Sequence, residues 1–290
     1  MKYSPSFPAE LILVGAGPGD PELITVKAWR LLQQANTILY DHLANPALLD
    51  LAAPDCEKIY VGKEPYGNTT SQERIHQLIR EKAAKGGKII RLKGGDPFIF
   101  GRGFEEVLFA RELGLRVSYI PGISSMQASG LSDIPLTHRA LSESIWIVTG
   151  TKKDGTLSED LQLAMQSKAT VVIYMGMKKL EEIRRAYRAA GLGQMPAAII
   201  QEASLPQERL AVGRVEQLPE LAMEFGLSHP AIIVIGAVVG LSAMDRVTAP
   251  AGVKKETGEP GAHPENLFEF LGVFEELGQP DIRQRVFQKA

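Results

Sequence analysis

Lys88-Ile89-Ile90-Arg91-Leu92-Lys93-Gly94-Gly95-Asp96-Pro97-Phe98-Ile99-Phe100-Gly101-Arg102-Gly103 is the stretch on which the fold turns. It opens as a short apolar run of the kind that forms a buried parallel strand, and a helix-like segment begins at Phe104. Two consecutive glycines at the carboxyl end of such a strand let another molecule approach the backbone without meeting a Cβ. Ligands of open α/β sheets bind outside those strand ends. A tight strand-to-helix turn would account for Gly94-Gly95-Asp96-Pro97 taken alone. The full run from Arg91 to Gly103 also carries two more glycines and two arginines, which is too specialised for a turn. It reads as a ligand site.

Outward from this run, strand-like segments alternate with helical patterns, which predicts an α/β protein with largely parallel pairing. Strands are expected at 11–14, 37–40, 58–61, 89–92 and 116–120, with helices at 21–34, 71–85, 104–112 and 124–131. A break follows at Asp133-Ile134-Pro135-Leu136-Thr137-His138-Arg139. Beyond it, strands are expected at 145–149, 170–174, 197–201, 209–212 and 231–235, with helices at 158–166, 180–190 and 215–225. The organisation predicted is an N-terminal α/β domain over 1–136, a smaller C-terminal α/β domain over 137–245, and a tail over 246–290. In that tail a glycine- and proline-rich linker from Thr248 to Pro264 precedes a short amphipathic helix around 266–277.

A chain of 290 residues accommodates two domains of roughly 100–150 residues. With a net charge of −2 it has no general attraction for nucleic acid or an anionic membrane, so any basic site is local. One cysteine, Cys56, precludes an internal disulfide framework and suits a reducing compartment; it reads as a packing residue. No segment approaches the roughly 18–20 apolar residues of a membrane span, and the first residues lack a signal-peptide core. The expected location is the cytoplasm.

The first loop, Val14-Gly15-Ala16-Gly17-Pro18-Gly19-Asp20-Pro21, invites a dinucleotide reading, with Asp41 placed where a ribose-binding acid belongs. Physical chemistry counts against it. A pyrophosphate cradle needs free backbone N–H groups and a helix N-terminus. Pro18 and Pro21 each remove a donor, and Asp20 puts a carboxylate where the diphosphate would lie. A phosphate-free adenosyl ligand with a cationic sulfonium fits better. No His/Cys/carboxylate spacing calls for a metal.

From Leu11 to Leu241 the chain resembles the tetrapyrrole methylases, S-adenosylmethionine-dependent enzymes of two α/β domains with a cleft between them. The resemblance rests on Val14–Pro21, Tyr40-Asp41, Val61-Gly62-Lys63, Arg91–Gly103, Pro121-Gly122-Ile123-Ser124-Ser125, Ile134–Arg139, Val148-Thr149-Gly150 and Tyr174-Met175-Gly176, in the family's order. It is strongest to the branch that methylates two pyrrole rings of uroporphyrinogen III to give precorrin-2 for siroheme and cobalamin. Some relatives carry an NAD-dependent dehydrogenase and ferrochelatase module upstream. With ten residues before the first strand, that module is expected to be absent here.

The resemblance implies cofactor contacts from Pro18, Gly94, Gly95, Asp96, Ile99, Ser124, Ser125, Met175 and Ala203. S-adenosyl-L-methionine is the implied cofactor, with S-adenosyl-L-homocysteine as its product. Asp41 becomes the general base and Lys63 the acid. A solvated surface lysine and a loop carboxylate are the plainer readings of those two positions. Arg102, His138 and Arg139 are candidates for an anionic tetrapyrrole, joined in the same grouping by Lys152 and Lys153. A homodimer is also implied.

The chain departs from the family's usual residues at His42, at Glu64 and the residues after it, and at Gln201-Glu202-Ala203-Ser204. These departures leave the cofactor loops intact and bear on substrate placement. Three alternatives stay open: another precorrin or cobalt-precorrin methyltransferase, an NAD(P)-binding dehydrogenase, and a catalytically silent cofactor-binding protein.

Overall fold

The structure, a computed structural model, describes residues 9–62 and 70–242. The chain divides into two compact units, Met1–Ser125 and Met126–Ala290. That division comes before the boundary expected near Leu136. The reason is packing: Ala128 and Ile134 are buried in the second unit's core beside Val172, Ala198 and Val234.

In the first unit, β1 (Glu10–Gly15), β2 (Thr37–Tyr40), β3 (Glu57–Tyr60), β4 (Lys88–Lys93) and β5 (Arg116–Ile120) form one sheet in the order β3-β2-β4-β1-β5. All its pairings are parallel. The central strands are covered on both faces, which is why they read as continuous apolar runs. Ile12, Val14, Ile90 and Leu92 pack on α1 (Val26–Leu32) and the 3-10 turn Pro46–Leu51, with Cys56 in the same layer. Leu11, Leu13 and Ile89 face α2 (Gln72–Ala83) and α3 (Gly103–Glu112). Each such side chain contributes about 1.5–3 kcal/mol on burial.

Two helix expectations are corrected. The segment 21–34 is a 3-10 turn, Pro21–Leu23, followed by α1. The break sits at Thr25, whose extended backbone and hydroxyl, accepting from the Ala28 N–H at 3.2 Å, start a new helix. The segment 124–131 is instead a 3-10 helix, Gln127–Ser132, in which Ser129 Oγ donates to the carbonyls of Met126 and Ile134.

The second unit's sheet contains β6 (Ile145–Thr149), β7 (Thr170–Tyr174), β8 (Pro196–Gln201), β9 (Arg209–Arg214) and β10 (Ala231–Ile235), ordered β6-β7-β10-β8-β9. Only β6 and β7 pair in parallel; β10 runs antiparallel to both its neighbours, and β8 and β9 form a hairpin. Parallel pairing was the expectation. The link from Gln201 to Arg209 is too short for the crossover of a dozen or more residues that parallel neighbours require. Helices α4 (Asp160–Met165), α5 (Leu180–Ala189) and α6 (Leu218–Glu224) cover one face, with Leu161, Ile183, Tyr187 and Leu218 fully buried.

The expected linker and helix over 246–290 lie outside the described residues, as do Lys63 and Glu64.

Candidate active site

Parallel strands deliver their carboxyl ends to one edge of the first sheet, and four loops meet there. The loop after β1 and the loop after β4 are zipped by two backbone hydrogen bonds. Gly95 N–H donates to the Gly17 carbonyl at 2.7 Å, and Gly17 N–H returns to Gly95 at 3.3 Å. Both residues sit at positive φ, +81° and +63°, where a side chain would be strained. The loop after β5 presses on the same point. A Cβ on Gly15 would run into the Gly122 backbone and lie 2.7 Å from the Gly95 carbonyl oxygen. The loop after β2 joins through Asn45, which donates from Nδ2 to the Gly19 carbonyl at 2.8 Å.

Asp96 binds this junction together. Its Oδ1 accepts from the Phe98 N–H at 2.8 Å, while Oδ2 accepts from the Tyr119 hydroxyl at 2.6 Å and the Gly122 N–H at 3.1 Å. The carboxylate is therefore engaged by protein groups. Burial and the neighbouring Asp96 charge both push the Tyr119 phenol well up, so it stays a donor. The backbone of Gly94 and Gly95 stays half-exposed between the buried Lys93 and Asp96. Buried Ser124 and half-buried Ser125 lie over Gly95; half-buried Pro18 and Ile99 belong to the same loop cluster. So seven of the nine expected cofactor residues occupy one end of one sheet.

Asp41 follows β2 at that same end. Its Oδ1 accepts from the Leu43 N–H at 3.2 Å, and its Oδ2 lies 3.3 Å from Nη2 of the buried Arg91. His42 is exposed beside it. Arg102 is an exposed residue at positive φ, in a two-pronged ion pair with Glu105 at 2.7 and 2.8 Å.

Met175 and Ala203 belong to the second unit, after β7 and β8, which both run antiparallel to β10 and so end on the same side of their sheet. Met175 is 52% exposed at φ 55°, with its carbonyl accepting from Thr151 Oγ1 at 2.9 Å. A methionine held exposed in a left-handed backbone is a strained arrangement of the sort that collects at functional sites. Ala203 is buried, and its neighbours Glu202 and Ser204 both have positive φ. The turn 138–142 is closed by paired backbone hydrogen bonds between His138 and Ser142; it holds His138 half-buried and Arg139 exposed.

Residues 10–219 match the family of Tetrapyrrole (Corrin/Porphyrin) Methylases. The chain belongs to the tetrapyrrole methylase family.

Relatives of this chain include the siroheme synthases of Chromobacterium violaceum and Pseudomonas aeruginosa. They are 42% identical over 79% of the chain and 43% over 80%, respectively. The chain spans about half the length of these relatives (49% and 50%). Among solved structures, the uroporphyrin-III C-methyl transferase of Thermus thermophilus in complex with S-adenyl homocysteine is similar at 39% identity and a TM-score of 0.69. That match covers 80% of this chain and 99% of that one. A cobalt precorrin-4 methyltransferase, at 24% identity and a TM-score of 0.71, shares the fold.

The first loop lacks the helix N-terminus that a diphosphate needs. No α-helix starts at the glycine loop, since the Pro21–Leu23 turn intervenes and α1 begins only behind Thr25. Asp20 Oδ1 accepts from the Glu22 N–H at 2.8 Å, so a carboxylate already caps that turn. Neither the family match nor the solved structures named above support the dehydrogenase alternative for this chain. Among the described residues no group of His, Cys, Asp and Glu could hold a metal ion.

Tyr119, Glu106 and Asn45 escaped the sequence reading, and Arg91 was read only as part of the binding run. A buried arginine in a strand and a glutamate on an apolar helix face were the available signals for two of them. Nothing in the sequence links Tyr119 or Asn45 to the loops they hold.

Proposed function

We propose that this tetrapyrrole methylase transfers methyl groups from S-adenosylmethionine to carbons of two pyrrole rings of uroporphyrinogen III. The product is precorrin-2, on the way to siroheme and cobalamin. The observation that carries the reading is the glycine junction: half-exposed Gly94 and Gly95 backbone between Pro18 and the Ser124-Ser125 pair. A relative of nearly the same extent, with S-adenyl homocysteine bound, supports the same ligand.

When bound, the cofactor supplies an electrophilic methyl group on sulfur. The chain's contribution is largely orientation, which for a two-centre displacement is worth several kcal/mol. Backbone groups of Gly94, Gly95, Ser124 and Ser125 hold the polar parts of the cofactor, and Ile99, Met175 and Ala203 supply apolar wall. Asp96 keeps Gly95 and Gly122 in register and reaches the ligand through its backbone only. Asp41 takes the proton released from the methylated ring carbon. Lys63 acts as the acid.

Arg102, His138 and Arg139 receive the substrate's carboxylates. Arg102 does so by exchanging its Glu105 partner, and His138 through Nε2, since its Nδ1 accepts from the Ala140 N–H at 3.2 Å. We also place the protein in the cytoplasm as a homodimer. In support of the compartment, Cys56 is a free thiol, as a reducing environment keeps it. Edge strand β6 exposes Ile145 and Ile147.

Incubation with uroporphyrinogen III and S-adenosylmethionine tests the function. Two methyl groups should appear in the tetrapyrrole by mass, with precorrin-2 absorption and release of S-adenosylhomocysteine. An unmodified tetrapyrrole would sink the assignment.

A further inference from the structure

Four buried or half-buried charges share one face of the first sheet. Along β4, Ile89, Arg91 and Lys93 alternate with Ile90 and Leu92, so both cations point to the layer of α2 and α3. Leu39 of β2 is paired with Arg91 in register, and Asp41, two residues further, reaches the same face. Glu106 rises from the first turn of α3. Arg91, Lys93 and Glu106 are 3%, 7% and 1% exposed.

The geometry closes on Arg91. Its Nε lies 3.2 Å from Oε2 and 3.3 Å from Oε1 of Glu106, and its Nη2 3.3 Å from Oδ2 of Asp41. Its Nη1 donates to the carbonyls of Leu92 at 2.9 Å and Leu39 at 3.3 Å. Lys93 Nζ lies 3.6 Å from Oε1 of Glu106. Two cations thus meet two carboxylates. Removing one member of such a set leaves an uncompensated charge in a low-dielectric setting, where its field on the others is strong.

We propose that Glu106 and Lys93 are positioning residues for Asp41: they hold Arg91 and, through it, the orientation and charge surroundings of the Asp41 carboxylate. The proposal rests on reading Asp41 as the base. Among the described residues the charged groups facing Asp41 are Arg91 and Lys93 from β4 and Glu106 from α3; the exposed His42 follows it in the chain. The coupling is also visible at Lys93, whose amine is held below the usual lysine range by burial and then by Arg91, against the raising effect of Glu106 and Asp41.

The two residues carry opposite charges, so their removal acts in opposite directions. Glu106→Gln takes away a negative charge, makes the field at Asp41 more positive and lowers its proton affinity. Lys93→Met does the reverse. Carbon-13 titration of the Asp41 carboxyl in the full chain, assigned by its absence in Asp41→Asn, should move down in Glu106→Gln and up in Lys93→Met. Shifts of roughly 0.5–1 pH unit are expected for a charge acting at one remove. The acidic limb of the kcat profile should move in parallel, while KM for S-adenosylmethionine stays within about twofold.

A purely structural role would not move the two midpoints in opposite directions. Unmoved midpoints, or shifts of the same sign, overturn the proposal. Should Glu106→Gln not fold, Lys93→Met decides alone: an upward shift supports the coupling, and no shift or a downward one overturns it. Turnover of Asp41→Asn separates the two readings. A variant with full turnover refutes Asp41 as base, and the titration still decides whether Glu106 and Lys93 act on it.

Discussion

Tyr119 donates its hydroxyl to Oδ2 of Asp96 at 2.6 Å, joining β5 to the loop after β4 across the whole of α3. Its ring also stacks on Phe98, the residue whose N–H Asp96 accepts, with centroids 4.0 Å apart. One carboxylate therefore ties three backbone segments and an aromatic pair.

Asp96→Ala leaves the Tyr119 hydroxyl and two backbone N–H groups without an acceptor, at a cost of about 1–3 kcal/mol. Affinity for S-adenosylhomocysteine should fall tenfold or more by calorimetry, because Gly95 loses its support. Tyr119→Phe alone should be milder. The double variant should cost less than the sum of the singles, with a coupling of about 0.5–3 kcal/mol; additive costs would mean the contact does not hold the loop.

Alkaline stability carries a second signature. Tyr187 is fully buried, its hydroxyl has no partner among the described residues, and burial raises its pKa far above the ordinary value. Tyr119 shifts the same way. The folded state keeps these protons after the unfolded chain, whose tyrosines ionise near about pH 10, has lost them. Stability from this source is complete below about pH 10 and declines above it. Melting temperatures between pH 8 and 11 should show the decline, and Tyr187→Phe should flatten it.

Gly122→Ala introduces a methyl group into the Gly95 carbonyl oxygen and the Gly15 backbone. Overpacking of this kind costs about 1–3 kcal/mol, which for a chain of this size corresponds to a melting point lower by roughly 3–10 °C. Calorimetry on Gly114→Ala, where the added methyl meets nothing within 4 Å, supplies the contrast: it tests φ strain at +74° without a collision.

Replacement of Asp41 by Asn preserves shape and removes the base. Methyl transfer at saturating substrates should slow by about 10²–10⁴-fold, with cofactor affinity within a few fold by calorimetry. Lost cofactor binding with turnover intact would make Asp41 a ribose ligand.

Light scattering at micromolar concentration should return twice the 31.6 kDa chain mass. Ile145 and Ile147 are exposed on an edge strand whose outer backbone groups have no neighbour within their sheet, a combination that soluble monomers avoid. A mass of one chain would refute the dimer.

The strands were legible because burial leaves a local trace. Leu11–Val14, Ile89–Leu92 and Thr170–Tyr174 are apolar runs wherever they pair, and each appears within a residue or two of its expected bounds. Pairing direction leaves no such trace. β8 and β10 are as apolar as β1, yet their antiparallel course comes from a short link and from the insertion of β10 between β7 and β8. The loops of the candidate site were legible as glycine-rich punctuation, but their partners were not. Asp96 reads as a ligand-facing acid until Tyr119, distant in sequence, is seen to occupy it. Arg91 reads as part of a binding run, and its burial beneath Asp41 and against Glu106 appears only once β2, β4 and α3 are side by side.

The meeting of Gly15 and Gly122 has a genetic corollary. When a bulky residue intrudes on a side chain, a second mutation can trim that neighbour and restore the fit. Here each glycine abuts main chain, and main chain has nothing to trim. A lesion at either position should therefore yield no compensating revertant within the junction, only true reversion or mutations elsewhere that raise stability globally. Phe98 is the opposite case: its ring meets the side chains of Tyr119 and Phe104, so a change in one of the three can be answered by a change in another.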